Sequence, residues 1–156
     1  MAKFESKFGL GDHVYVAYKP EDVSAVVWQD NSGRPLPRNG YFEVYEHTVV
    51  EVQFSNCVCC GVWYQLRGAD DPVRESEVYT TPEEAVEGCR KAEIRENEYY
   101  LAQEKKSKNP RKGFAEMASS EIENLKKHNG SYMLYRLRKD GKDYKKGVYV
   151  DATRNS

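Results

Sequence analysis

The sequence predicts an α+β fold, and three stretches carry that prediction. The first eighty residues hold short runs of alternating apolar and polar side chains broken by glycine, proline and asparagine, the period-2 pattern of half-buried strands. Thr81-Pro82-Glu83-Glu84-Ala85 then opens a long run at helical spacing. Asp140-Gly141 lies between two further alternating runs, a strong two-residue hairpin signal. The predicted order is a small bent antiparallel sheet or barrel over residues 1–80, a connecting helix over 81–106, and a helix plus C-terminal β-hairpin over 107–156. At 156 residues the chain suits one cooperative unit, with the tail packed on the front half.

A first strand follows the turn Gly9-Leu10-Gly11-Asp12, with Val14 and Val16 on one face and Tyr15 on the other. Val23 to Trp28 predicts a second strand, and Asp30 to Gly40 reads as a loop. Tyr41 to Phe54 alternates throughout: Phe42, Val44, Val50, Val52 and Phe54 share one face, and Tyr41, Glu43, Tyr45, His47, Glu51 and Gln53 the other. Its length predicts a bend near Glu46-His47-Thr48. Gly61 to Arg67 turns Val62, Tyr64 and Leu66 inward, and Val73 to Tyr79 is a short strand leading to the helix.

That helix is predicted from Pro82 to about Lys106. The Thr81 hydroxyl caps it, Pro82 occupies the first position, and Glu84 is placed to complete a capping box. Ala85, Cys89, Ala92, Tyr99 and Tyr100 form one stripe flanked by Val86, predicted to cover one opening of the barrel. Ile94 and Leu101 lie almost opposite, predicted to meet the C-terminal part. Gly88 weakens the helix by about 1 kcal/mol relative to alanine, so packing must hold it. Phe114, Met117, Ala118, Ile122 and Leu125 mark a second helix stopped by Gly130, with a shorter start at Ser119 or Ser120 as the alternative. Ser131 to Arg138 and Tyr144 to Asp151 are the arms of the hairpin.

Charge is unevenly spread. Residues 1–104 hold 10 Lys/Arg against 19 Asp/Glu, and residues 105–156 hold 14 against 6. Opposite-signed halves imply either an electrostatic partner or mutual docking. No apolar run approaches a membrane span, and the polar start lacks the apolar region of a signal peptide. A cytoplasmic protein with reduced thiols is the expectation, since three of the four cysteines crowd into Cys57-Val58-Cys59-Cys60 rather than spacing out as a disulfide framework.

Phe8-Gly9-Leu10-Gly11-Asp12-His13-Val14-Tyr15, Trp63-Tyr64-Gln65-Leu66 and Glu75-Ser76-Glu77-Val78-Tyr79-Thr80-Thr81-Pro82-Glu83-Glu84-Ala85 together resemble small SH3-like barrel proteins encoded by bacteriophages and mobile elements. The resemblance spans roughly Phe8 to Cys89. It implies an SH3-like barrel in the bacterial host cytosol and permits a binder or inhibitor of host enzymes. The chain departs from the pattern at Asp30 to Gly40, at Cys57 to Cys60 and throughout its basic tail.

Catalytic and metal chemistry find little footing. His13, His47 and His128 fall in three separate elements, with neither a nucleophile elbow nor a glycine-rich phosphate loop. Cys57, Cys59 and Cys60 supply one Cys-x-x-Cys pair with only Cys89 or His47 as distant further ligands, short of the four that structural zinc wants. Plain packing is the simpler role, and no cofactor is predicted.

The basic residues carry the sharper hypothesis. Lys105, Lys106, Lys108, Arg111 and Lys112 form one cluster. Arg136, Arg138, Lys139, Lys142, Lys145 and Lys146 form another, interleaved with Tyr135, Tyr144 and Tyr149. Cations neutralise phosphates and aromatic rings stack on unpaired bases, while Tyr-rich surfaces equally suit protein interfaces. The expected function is a non-catalytic interaction protein that modulates a host protein or ribonucleoprotein complex. Direct nucleic-acid binding through the basic half is the alternative, and a small enzyme the third.

Overall fold

The structure, a computed structural model of the chain, describes residues 5–19, 42–55, 61–128, 130–136 and 147–150. In order these form β1 (His13–Tyr18), β2 (Phe42–Phe54), β3 (Val62–Leu66), β4 (Val73–Arg74), a 3-10 turn (Glu75–Glu77), α1 (Pro82–Lys106), α2 (Phe114–Lys127), β5 (Tyr132–Tyr135) and β6 (Val148–Val150). The predicted Val23 to Trp28 strand, the Asp30 to Gly40 loop, the Cys57 to Cys60 cluster and the Asp140-Gly141 turn lie outside the described residues. The described strands form one mixed six-stranded sheet accompanied by two helices, an α+β arrangement.

β2 is its trunk. The first half pairs antiparallel with β1, from Tyr18↔Glu43 to His13↔Thr48, and parallel with β5, from Phe42↔Tyr132 to Tyr45↔Tyr135. The second half pairs antiparallel with β3, which pairs with β4, while β6 pairs antiparallel with β5. The two arms of the predicted C-terminal hairpin therefore meet, and they join the front sheet through β5.

Successive strand side chains point to opposite faces, and β2 buries both of its faces at different places. Phe42 and Val44 join Ala85 and Val86 of α1, Leu125 of α2, and Tyr132 and Leu134 of β5 in one core. His47 and Val49 fall on the other face, where Val14, Val16, Val49, Tyr64, Leu66 and Val78 form a second core. This corrects the single apolar face read from the sequence: Val50 and Phe54 are exposed, while His47 and Val49 are buried. The strand also runs unbroken through Glu46-His47-Thr48, and its irregularity lies between Val49 and Glu51.

The predicted Val73 to Tyr79 strand is interrupted. β4 lasts two residues, the 3-10 turn follows, and Tyr79 then exchanges backbone hydrogen bonds of 2.9 and 3.0 Å with Tyr15. The fully buried Tyr64 holds this corner, because its hydroxyl donates to the Glu75 carboxylate and accepts the Phe8 N–H at 3.2 Å. Burial, followed by the bond to Glu75, pushes the Tyr64 phenol up to about 12.

α1 begins where the sequence placed it, and the Thr81 hydroxyl accepts the Glu84 backbone N–H at 3.2 Å. The Glu84 carboxylate stays exposed, so the second half of the capping box is not formed among the described residues. At Gly88 an added Cβ would stand 1.9 Å from the Tyr79 hydroxyl oxygen. The glycine lets the Tyr79 ring cross the helix.

Only the first half of α1 sits on the sheet. Ala85 and Val86 are buried and Cys89 and Ile94 pack beside them, but Ala92, Tyr99 and Tyr100 are exposed, contrary to the predicted stripe. A 25-residue helix is about 37 Å long, and only its part up to Ile94 packs on the sheet's core, so among the described residues its second half meets α2 and the connection to it. α2 starts at Phe114 rather than at Ser119 or Ser120, with Gly113 left-handed at φ 79° before it. Ala118, Ile122 and Leu125 face inward as predicted, whereas Met117 is 70% exposed. Arg90 of α1 donates to the Leu125 carbonyl of α2 at 3.3 Å, fixing the two helices as an antiparallel hairpin. Among the described residues no helix is long and apolar enough to cross a membrane.

Candidate macromolecular interface

The far end of this helical hairpin gathers the first basic cluster. Lys105 and Lys106 occupy the last turn of α1, where cations suit the negative end of the helix dipole, and Lys108, Arg111 and Lys112 follow in the connection to α2. All five are exposed. Glu104 folds the connection back: its buried carboxylate accepts the Arg111 backbone N–H and lies 3.4 Å from an Arg111 guanidinium nitrogen. Among the described residues Arg111 is the member of the cluster held in an ion pair.

An aromatic row adjoins these cations. The Arg111 guanidinium lies 3.8 Å from the centre of the Phe114 ring, Phe114 stands 6.5 Å from Tyr100, and Tyr100 stands 5.9 Å from Tyr99. Tyr99 is 59% and Tyr100 43% exposed. The Tyr100 hydroxyl donates to Glu96 at 2.9 Å, and that bond raises its pKa. On the hairpin, Leu101 and Lys105 from α1 and Ala115, Glu116 and Ser119 from α2 line an open groove of about 420 Å³. Sequence reasoning named the cations but missed the buried Glu104 that anchors Arg111 and the exposure of Tyr99, Tyr100 and Met117 beside half-buried Phe114. No signal in the sequence marks where packing on α1 stops.

Of the second predicted cluster, Arg138, Lys139, Lys142, Tyr144, Lys145 and Lys146 lie outside the described residues, leaving Tyr135, Arg136 and Tyr149, the last in β6 opposite Met133. Tyr135 is half-buried, its ring stacked 4.8 Å from Tyr45. Arg136 is exposed, and its charge acts on Tyr15 and Tyr132. Tyr132 in turn donates to Glu83, in the first turn of α1, at 2.8 Å. Arg136 thus stands by the N-terminal end of α1 and Lys105 by its C-terminal end, about 30 Å away at 1.5 Å per residue. Among the described residues, Arg136 is therefore separate from the Lys105 to Lys112 cluster.

The thiol and imidazole groups are engaged structurally. Burial pushes the Cys89 thiol up to about 12, which keeps it protonated and unreactive. The His47 Nδ1 lies 3.2 Å from the Arg67 carbonyl, which can only accept, so that nitrogen carries hydrogen. Burial lowers the His47 pKa. His128 accepts the Gly130 N–H at 2.9 Å and packs edge-on against Phe42. Among the described residues no group of three or more His, Cys, Asp or Glu side chains could hold a metal ion. Cys57, Cys59 and Cys60 lie outside them.

No protein-family model matches the chain, and neither the curated proteins nor the solved structures contain a significant match.

Proposed function

We propose that the chain is a non-catalytic interaction protein of phage or mobile-element type, acting in the bacterial cytosol on a host protein or ribonucleoprotein complex. Its action is inhibitory, directed at a nucleic-acid-handling defence nuclease in the manner of an anti-CRISPR protein, and it needs no cofactor. The observation carrying the reading is the free end of the helical hairpin. Five exposed cations border exposed tyrosines and a methionine there, and aromatic residues, methionine and arginine are enriched at protein interfaces.

The front half serves as the scaffold, and we read it as an SH3-like barrel. The reading is supported by the long β2 shared between β1 and β3, and by the 3-10 turn that precedes the return of Tyr79 to β1. Scaffold and binding element are then separate, with α1 reaching from one to the other.

Capture from bacterial lysate with the tagged protein, with and without nuclease, tests the function. A specific host complex retained after nuclease, and lost on reversing Lys106 and Lys112 to glutamate, is the expected result. No host partner under either condition would sink the reading.

A further inference from the structure

Resting on that reading, we infer that the hairpin tip grips single-stranded nucleic acid carried by the host complex, with Lys105, Lys106, Lys108 and Lys112 on its phosphates and Tyr99 and Tyr100 beneath unpaired bases. Three observations converge on this. The four lysines are exposed, fall within eight residues of chain and have no ion-pair partner among the described residues. Arg111, the fifth cation, is already committed to Glu104 and to the Phe114 face, so it stiffens the connection instead of joining the ligand. From Phe114 the rings continue through Tyr100 to Tyr99, away from the guanidinium and increasingly into solvent.

Charge complementarity selects a polyanion, and the adjacent exposed rings select one whose bases are unstacked. Glu96 accepts the Tyr100 hydroxyl and Glu116 lines the groove beside Lys105, so acidic groups bound the patch away from the tip. Ribose and deoxyribose strands share the chemistry invoked, so either sugar is a permitted source.

Fluorescence anisotropy with labelled 20-nucleotide poly-U RNA, poly-dT DNA and a 20-base-pair duplex tests the inference. One or both single strands should bind at 50 mM KCl. With four phosphates neutralised, affinity should fall roughly 50-fold by 200 mM KCl, because each released counterion steepens the salt dependence. Lys106→Glu with Lys112→Glu should weaken binding at least about tenfold and flatten the salt slope, and Tyr99→Ala should weaken it by about tenfold. Lys126→Glu with Lys127→Glu, at the other end of α2, should change little. Unchanged melting curves for all variants exclude misfolding as the cause.

No binding at 50 mM KCl, equal affinity for duplex, or indifference to tip reversal would each overturn the inference. If no single strand bound while the tip variants still lost a protein partner from nuclease-treated lysate, the phosphate assignment would fall while the interaction function stood.

Discussion

Gly88 and Tyr79 decide how closely α1 approaches the front sheet. Glycine in a helix interior costs about 1 kcal/mol against alanine, so a surface reading of position 88 predicts that alanine stabilises. The packing predicts the opposite. A methyl group would meet the Tyr79 hydroxyl, Cζ and Cε1 all within 3 Å, and overpacking of this kind costs about 1–3 kcal/mol. Gly88→Ala should lower the urea midpoint, and a raised midpoint would place Tyr79 elsewhere. His47 gives a pH signature. Burial lowers its folded pKa, so between the folded and unfolded values the unfolded chain binds a proton that the native chain does not. Its stabilising contribution is complete above the ordinary histidine range and is lost as pH falls through that range. His47→Gln should therefore lose less stability than the wild-type chain between pH 7.5 and 5.5, measured by urea titration.

At the scale of elements, α1 joins a packed half to a projecting half. Residues up to Ile94 rest on the apolar core, whereas beyond it the helix is held by α2 and the connection before it, through contacts such as Tyr100 against Phe114 and Glu104 with Arg111. Amide exchange should be markedly faster from Arg95 to Lys106 than from Val86 to Ile94, because fewer buried apolar contacts leave local opening easier. Uniform protection along α1 would contradict this division.

The start and length of α1 were legible because Thr81, Pro82 and the following glutamates act through local backbone geometry. Its faces were not. Tyr99 and Tyr100 share a helical stripe with Ala85, but the sheet ends before reaching them, and no periodicity reports where a neighbour stops. β2 shows the same limit: its alternation was plain, yet which face is buried changes along its length according to whether the helices or Tyr64 and Leu66 lie against it. The parallel β5 partner was invisible because Phe42↔Tyr132 joins residues ninety positions apart. The first basic cluster was legible residue by residue, but its aromatic border depended on the projection of α1.

For the whole molecule, the question posed by an acidic front and a basic tail has a structural answer. The two parts meet through apolar packing of Phe42, Val44, Leu125, Tyr132 and Leu134, through the bond from Tyr132 to Glu83, and through Arg90 on the carbonyls of α2. Two ion pairs cross between them among the described residues: Lys19 with Glu121 takes a cation from the acidic part and an acid from the basic part, and Glu104 with Arg111 the reverse. Arg111 is thus neutralised by Glu104, while Lys105, Lys106, Lys108 and Lys112 have no ion-pair partner among the described residues and are displayed at the end of the hairpin.

Hydrogen-exchange mass spectrometry on the captured host complex tests this account most directly, by comparing the bound protein with the free one. The account predicts new protection centred on residues 99–117, with the β1–β3 sheet unchanged. Protection confined to that sheet, with the hairpin tip exchanging as freely as before, would contradict it.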